Sequence, residues 1–309
     1  MAVSALNINN SVPCNLCGSW DHAVLFKPGV AQINQIVKCN HCGLMFANPR
    51  RDPDHVLIES WPNDPKWDSA RENPQRFEKE RLQVRDYATT RALINLLHPH
   101  RGRLLEIGSG FGFLLDSFRA TGWNVIGIDP DLNAARVAKQ KLAIGTITGT
   151  LEATHLPSES VDVAIMLHVI EHVPDPRATL REIYRVLKPG GHLVVETPRY
   201  DTLMFKFLGG RERSLSCDGH IFFFTTASLK AASEKAGFSL VRHDYVGRSL
   251  TLDRLVYNLA VISKSEALAR VVEPLSRRLM LQKLRLSVNV RDMQRVYLEK
   301  TKVANANAA

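Results

Sequence analysis

The chain has 309 residues, 45% of them apolar, which is enough to bury the core of one large α/β domain with a small appendage. No apolar run is long enough to span a bilayer, and residues 1–11 lack the charged-then-apolar pattern of a signal peptide, so we expect a cytoplasmic protein. The formal net charge of +9 indicates an anionic partner, but it does not distinguish RNA from a lipid head group or a phosphorylated substrate.

Residues 12–50 are predicted to form a separate metal-binding module. They hold four of the five cysteines in two CxxCG pairs, Cys14 with Cys17 and Cys39 with Cys42. Two residues between thiols let both sulfurs reach one ion, and four thiolates complete a closed, tetrahedral structural zinc site. Alternating apolar segments between the pairs suit a short hairpin. Iron–sulfur ligation and redox chemistry are the alternatives.

Two further segments lead into the large domain. Residues 51–73 contain several prolines and are predicted to form a linker or an irregular lid. Residues 74–97 have apolar positions at helical spacing, which predicts a helix that precedes the first strand of the large domain. We interpret the basic residues of this helix as a solvated face.

A buried strand over 104–107 is followed by a glycine-rich turn and a helix that begins at Phe113. Glycines let a turn approach a ligand closely, and a helix N-terminus presents N–H groups. The carboxylate of Glu106 precedes the first glycine by two residues. It can meet the cationic amino-acid end of S-adenosylmethionine (SAM), where a dinucleotide site would hold pyrophosphate. The turn residues predicted to contact this cofactor are Gly108, Ser109, Gly110 and Gly112.

The next strands supply the other predicted cofactor residues. A strand over 124–128 ends at Asp129, about twenty residues after the glycine turn, where a carboxylate can accept both ribose hydroxyls. Pro130 follows at the same edge. A short strand over 146–150 comes next.

A fourth strand over 161–167 ends in a loop that carries histidines. We expect Leu167 and His168 at the methionine end of the cofactor. An alcohol or phenol acceptor needs a base with a near-neutral pKa, which histidine provides. His220, which follows an irregular segment over 200–219, is the first candidate for this base, and His172 is the second.

These motifs together resemble a zinc-ribbon class I SAM-dependent methyltransferase of the type 23 group, whose core is similar to ubiquinone-pathway O-methyltransferases. The resemblance includes the EHV-x-DP stretch at 171–176 and the H-x-x-x-F-T stretch that starts at His220. It implies a Rossmann-like, seven-stranded α/β sheet with helices on both faces over 74–303, in addition to the zinc ribbon. It also implies SAM and structural zinc as cofactors. The resemblance further implies that Thr150, Leu151 and Glu152 lie beside the adenine, and Thr150 stands where the family pattern has an aspartate.

The resulting functional interpretation is methyl transfer to a hydroxyl of a small molecule, a glycan or a lipid-linked acceptor. An rRNA base methyltransferase and a non-catalytic SAM-binding scaffold are the alternatives. We do not expect a nucleic-acid partner, because Lys27 and Lys38 are the only strong bases between Cys14 and Cys42. Residues 250–287 are expected to form two basic amphipathic helices, which either pack on the domain edge or lie on an anionic membrane surface. The oligomeric state is not predicted.

Overall fold

The computed structural model describes residues 11–27, 35–50, 74–212, 215, 219–251 and 285–301. The predicted lid at 51–73 lies outside the described residues, as does the part of the predicted helical segment that covers 252–284. Within the described residues, no helix is both long and apolar enough to cross a membrane.

Strands and helices alternate through most of the large domain. The strands are β1 (His22–Phe26), β2 (Ile36–Cys39), β3 (Met45–Ala47), β4 (Arg103–Ile107), β5 (Asn124–Asp129), β6 (Thr146–Thr148), β7 (Val161–Leu167), β8 (Leu187–Pro198), β9 (Phe222–Phe223), β10 (Phe238–Thr251) and β11 (Arg285–Lys300). The α-helices are α1 (Pro74–Gln83), α2 (Ala88–Leu97), α3 (Phe113–Arg119), α4 (Leu132–Val137), α5 (Pro176–Val186), α6 (Leu203–Leu208) and α7 (Thr226–Lys235).

Seven strands form one mixed sheet in the order β10-β11-β8-β7-β4-β5-β6. Neighbouring strands are parallel from β8 through β7, β4 and β5 to β6. Strand β11 pairs antiparallel with both β8 and β10. Glu106 on β4 lies opposite Gly127 on β5 and Ile165 on β7, so the carboxyl ends of three adjacent strands meet at one edge. Ligands of open α/β sheets bind at this edge, where the strand order reverses. The predicted seven-stranded α/β fold is confirmed.

Helices cover both faces of the sheet, and the central strands are therefore apolar on both sides. Leu105 on β4 belongs to one buried cluster, and its neighbour Leu104 belongs to another. Helix α5 buries Leu180 and Ile183 against the first cluster. Asp131 caps α4 by accepting hydrogen bonds from Asn133 N and Ala134 N at 2.9 and 3.1 Å.

The cysteine module contributes three strands to a second, four-stranded sheet in the order β1-β2-β3-β9. The predicted hairpin is present, because β1 pairs antiparallel with β2. The fourth strand comes from the large domain, where Phe222 on β9 pairs with Phe46 on β3. The sequence did not predict this pairing, since β9 is only two residues long and its partner is remote in the chain.

The C-terminal part of the sheet differs from the sequence prediction. Leu250 and Thr251 belong to β10, and they pair with Leu286 and Arg285 on β11. The expected helical segment at 250–287 is therefore wrong at both of its ends, where the chain forms a long antiparallel pair. Helix α5 ends at Val186, and residues 187–191 already lie in strand β8.

Candidate active site

The glycine turn after β4 approaches its neighbours too closely for larger residues. Gly108 has a φ of +75°, and a Cβ there would lie 2.3 Å from Val169 Cγ2. Gly110 has a φ of +49°, and a Cβ there would lie 2.8 Å from Glu80 Oε2. The backbone N–H of Ser109 donates to Ile128 O at 3.1 Å. The turn therefore touches both α1 and the loop after β7, and helix α3 starts at Phe113 as predicted.

Two predicted carboxylates lie at this turn. Asp129 accepts hydrogen bonds from Gly110 N at 2.7 Å and from Asp131 N at 2.8 Å. Glu106 is 5% exposed, and among the described residues its Oε2 atom has no hydrogen-bond partner. Burial and the nearby charges of Asp129 and Glu80 raise the pKa of Glu106 well above its usual range. A cationic ligand would relieve this arrangement, because it would offset the buried negative charge.

Glu80 on α1 is a residue of this site that the sequence prediction missed. Its Oε2 accepts a hydrogen bond from Phe111 N at 3.3 Å. One turn earlier, Phe77 packs edge-on against Phe113 with ring centroids 4.8 Å apart. The i, i+3 spacing places both side chains on one side of α1, but this spacing alone does not point to a glycine turn. Helix α1 therefore covers the cofactor edge of the sheet.

The residues predicted beside the adenine follow β6. Leu151 is buried, and Thr150 and Pro130 are half-buried. Gly149 N donates to Asp129 O at 3.1 Å, which places the start of this segment next to the predicted ribose ligand. Glu152 contacts a helix instead, because its Oε1 accepts a hydrogen bond from Thr179 Oγ1 on α5 at 2.6 Å.

His168 follows Leu167 at the end of β7 and lies between two buried carboxylates. Its Nε2 is 3.0 Å from Glu196 Oε1, and its Nδ1 is 3.7 Å from Glu171 Oε1. Burial opposes the charge on the ring, but attraction to the Glu171 and Glu196 carboxylates dominates and raises the pKa of His168 to about 9. His168 is therefore an imidazolium at neutral pH.

Glu171 lies at the centre of the histidine cluster and is fully buried. Its Oε2 accepts a hydrogen bond from Thr197 Oγ1 at 3.0 Å, and its Oε1 is 4.0 Å from His220 Nε2. Burial raises the pKa of this carboxyl, but the neighbouring imidazolium of His168 and the nearby rings of His172 and His220 outweigh burial and lower the pKa to about 2. The sequence prediction did not place Glu171 or Glu196 among the site residues.

The two candidate bases lie side by side. The rings of His172 and His220 meet edge to face, with centroids 4.6 Å apart. His172 Nδ1 is 2.9 Å from Gly219 O, and a carbonyl can only accept, so Nδ1 carries the hydrogen and the lone pair of the neutral ring is on Nε2. His220 Nδ1 is 3.5 Å from Tyr200 Oη. The structure thus brings His168, His172 and His220 together, although they come from two distant segments.

A buried ion pair supports the cluster from behind. Glu196 Oε2 accepts a hydrogen bond from Arg295 Nε at 2.6 Å, across the β8–β11 pair. Arg295 also donates from Nη1 to Thr90 Oγ1 at 2.7 Å and lies 4.9 Å from the centre of the Tyr87 ring. Arg295 and Glu196 are 3% and 4% exposed. The two carboxylates of this region, Glu171 and Glu196, are therefore matched by two cations.

The four cysteines of the module have the spacing of a metal site. Cys14 Sγ lies 3.3 Å from Cys42 Sγ, and Cys17 Sγ lies 3.5 Å from Cys39 Sγ. All four sulfurs are within 4.8 Å of one another. A tetrahedral zinc ion with Zn–S bonds of about 2.3 Å separates its sulfurs by about 3.8 Å, so this donor set fits zinc.

Glu171, His172 and His220 also place ligand atoms within 4.8 Å of one another. His168 Nδ1 also faces the same oxygen, Glu171 Oε1. The positive charge of His168 therefore disfavours a metal cation at that oxygen. We therefore treat this cluster as an acid–base site.

The sheet order, the glycine turn after β4 and the acid that ends β5 define a class I methyltransferase fold. A family model described as "Methyltransferase domain" matches residues 55–243, which is more than half of the chain. The chain belongs to this family.

Relatives with known names match parts of the chain. It is 35% identical over 147 residues to a Mycolicibacterium smegmatis protein named "Probable S-adenosylmethionine-dependent methyltransferase", over 47% of this chain and 55% of that protein. It is 36% identical over 99 residues to the ubiquinone biosynthesis O-methyltransferase of a Bradyrhizobium species, over 31% of this chain and 39% of that enzyme. The chain spans about half the length of the curated relatives it matches. A solved SAM-dependent methyltransferase from Thermotoga maritima has a TM-score of 0.49 and 23% identity, over 75% of this chain and 98% of that one.

Proposed function

We propose that the protein is a SAM-dependent methyltransferase that transfers a methyl group to a hydroxyl of a small molecule, a glycan or a lipid-linked acceptor. One observation carries the proposal: the glycine turn lies beside a buried carboxylate oxygen that has no hydrogen-bond partner among the described residues, and this turn directly contacts the loop that holds the histidine cluster. Gly108 and Val169 form that contact, and Glu106 supplies the carboxylate. A cation-binding site beside an acid–base site is what transfer from a sulfonium to a hydroxyl requires.

On the cofactor side, Glu106 and Glu80 would bind the ammonium group of SAM, and Asp129 would accept the ribose hydroxyls. Glu106 Oε2 suits an N–H donor, because it is a buried acceptor for which the described residues provide no hydrogen bond. Thr150 and Leu151 would border the adenine, close to Asp129 through Gly149. When bound, SAM supplies a methyl group that is already activated by its sulfonium charge.

On the acceptor side, His220 would accept the proton of the hydroxyl as the oxygen forms its bond to the methyl carbon and the sulfur–methyl bond breaks. The resulting positive charge on His220 would lie 4.0 Å from the Glu171 carboxylate, which remains ionised because its pKa is about 2. His172 is the second candidate for this role. His168 cannot serve as a base at neutral pH, because its pKa is about 9.

An exposed apolar surface supports an acceptor with an apolar part. Leu203 and Phe207 lie one helical turn apart on α6 and are 83% and 87% exposed. On the opposite side of α6, Phe205 packs edge-on against Tyr200 at 5.5 Å. Because the Tyr200 hydroxyl is 3.5 Å from His220, the helix that carries this surface packs against a neighbour of the proposed base.

The experiment is methyl transfer from radiolabelled SAM into a cell extract that is separated into lipid, soluble glycan or metabolite, and RNA fractions. We expect label in the lipid or the glycan and metabolite fraction. Label in RNA would overturn the proposed acceptor class, and no label despite SAM binding would overturn the proposed enzyme.

With the labelled fraction as substrate, His220→Ala should lower turnover about 10²- to 10⁴-fold, the usual contribution of a general base. Its SAM affinity, measured by calorimetry, should be unchanged. The matched control is His155→Ala, because His155 is exposed and follows β6 at a position outside the histidine cluster. Normal turnover of His220→Ala would remove His220 from the proposed role.

A further inference from the structure

We propose that the cysteine module positions the proposed base: a metal ion in the four-cysteine cluster holds the strand pair that presents His220 to Glu171. The inference rests on the proposed function, because it assigns the module a role in the acceptor side of that same site. The module then acts on the active site through His220, as a positioning element.

The first step of the argument is the position of β9. This strand starts two residues after His220 and forms the edge of the module's sheet. Phe222 pairs with Phe46, and Phe223 pairs with Met45. The Ala47 backbone N–H also donates to Ile221 O at 2.8 Å. The backbone that follows His220 is therefore held by β3.

The second step concerns the opposite edge of residues 219–222. This edge contacts residues 168–175 after β7, which we call the histidine loop. The backbone N–H groups of Ile221 and Phe222 both donate to Glu171 O, at 2.8 and 3.1 Å. On the preceding side of His220, Gly219 O accepts the hydrogen bond from His172 Nδ1. His220 thus lies in a segment that is fixed between the module and the loop that carries Glu171.

The third step is the first CxxCG pair, which holds the far end of that loop. Asn15 lies between Cys14 and Cys17, and its Nδ2 donates to Asp175 Oδ1 at 2.8 Å. Asp175 in turn caps helix α5 by accepting a hydrogen bond from Ala178 N at 2.9 Å. A displacement of this pair would therefore act directly on the end of the histidine loop.

Arg50 follows β3 and contacts both the histidine loop and β9. It is 9% exposed, and its Nη1 donates to Pro174 O at 2.9 Å. The same guanidinium lies 4.9 Å from the centre of the Phe222 ring. One side chain therefore bridges the histidine loop and the strand that follows His220.

The last step is the dependence of β3 on the metal. The strands β1, β2 and β3 have five, four and three residues, and sheets this small are rarely stable without a metal or a disulfide. Cys39 ends β2, and Cys42 lies three residues before Met45, the first residue of β3. Because metal binding and folding are coupled in such modules, loss of the ion should release β3, and β9 with it.

The test compares variants of the full chain by metal analysis, hydrogen exchange, SAM calorimetry and turnover. Cys39→Ser should lose about one zinc per chain. Its amides at 45–47 and 219–224 should exchange at least tenfold faster, and those at 103–107 and 124–129 should stay protected. Turnover should fall at least tenfold, with SAM affinity within about twofold of the wild type. Unchanged exchange at 219–224 in the metal-free protein would overturn the proposal.

Arg50→Met keeps all four thiols, and it tests the coupling if Cys39→Ser fails to fold. It should retain zinc, increase exchange at 170–175 and 219–224, and lower turnover several-fold with unchanged SAM affinity. Retained zinc with wild-type exchange at 219–224 would contradict the coupling. The matched control is His41→Ala, since His41 is an exposed residue inside the second CxxCG pair and should change none of the four readouts. Faster exchange at 219–224 with full turnover would support the positioning and remove the catalytic role of His220.

Discussion

The protein buries carboxylates in two neighbouring regions, and their charges are balanced differently. At the glycine turn, Glu106 lies near Asp129 and Glu80, and burial together with these charges raises its pKa. At the histidine cluster, Glu171 and Glu196 are equally buried, but the nearby His168 imidazolium lowers the pKa of both carboxyls against the effect of burial. The first region gathers negative charge, whereas the second is close to neutral.

This difference indicates that the first region binds a ligand, whereas the second region supports the structure of the site. A buried charge is costly unless it is paired, so the glycine turn should be completed by a cationic ligand. The histidine cluster already contains its counter-ions, His168 and Arg295, and should be rigid before any ligand arrives. Substitutions at the first region should therefore change affinity, and substitutions at the second should change stability.

The largest effect is expected when the second region loses a counter-ion. Arg295→Met should lower the free energy of unfolding by about 3–5 kcal/mol, because it removes one of the two cations that match the buried carboxylates Glu171 and Glu196. Urea unfolding followed by circular dichroism measures the change. Arg242→Met is the control, since Arg242 is half-exposed and forms a surface pair with Asp244 that contributes at most about 1 kcal/mol. Equal losses in the two variants would show that the buried pair contributes no more than a surface pair.

The sequence predicted that the residues of the proposed cofactor side lie together, because these residues belong to short local motifs. Glu106, the glycines and Asp129 each lie at the carboxyl end of a strand, and parallel strands bring such ends together. The same logic explains why the strand β5 and the helix α3 were predicted with nearly the right bounds.

The supporting residues could not be predicted in this way, because they depend on pairings between remote segments. Arg295 meets Glu196 only through the register of β11 on β8, which places the two residues opposite each other. Glu80 reaches the turn only through the packing of α1. Strand β9 pairs with β3, although residues 48–221 lie between the two strands, and no local pattern encodes such a distant pairing. The sequence identified the histidines as candidates. It did not identify Glu171 as their common partner, because this role depends on the contact between the loop after β7 and the segment that contains His220.

An intermediate effect is expected on affinity at the first region. Asp129→Ala should weaken SAM binding about 100-fold, since two charge-assisted hydrogen bonds to the ribose are lost at about 1.5 kcal/mol each. Isothermal titration calorimetry measures this change. Asp116→Ala is the control, because Asp116 forms an exposed pair with Arg119 on the adjacent helix α3 and should keep wild-type affinity. Wild-type affinity in Asp129→Ala would exclude Asp129 from the cofactor site.

The smallest effect is the pH dependence of stability that His168 contributes. Its pKa is about 9 in the folded protein and near 6.5 when unfolded, so its charge stabilises the fold fully below pH 6.5, and this contribution is lost as the pH rises through 9. The ring is 36% exposed, and solvent screening reduces the contribution to about 1 kcal/mol. In urea unfolding between pH 6 and pH 9.5, His168→Gln should lack this decline, whereas the exposed-site control His155→Gln should retain it. Parallel declines in both variants would mean that His168 is not the titrating cation, and the neutrality of the second region would then need another source.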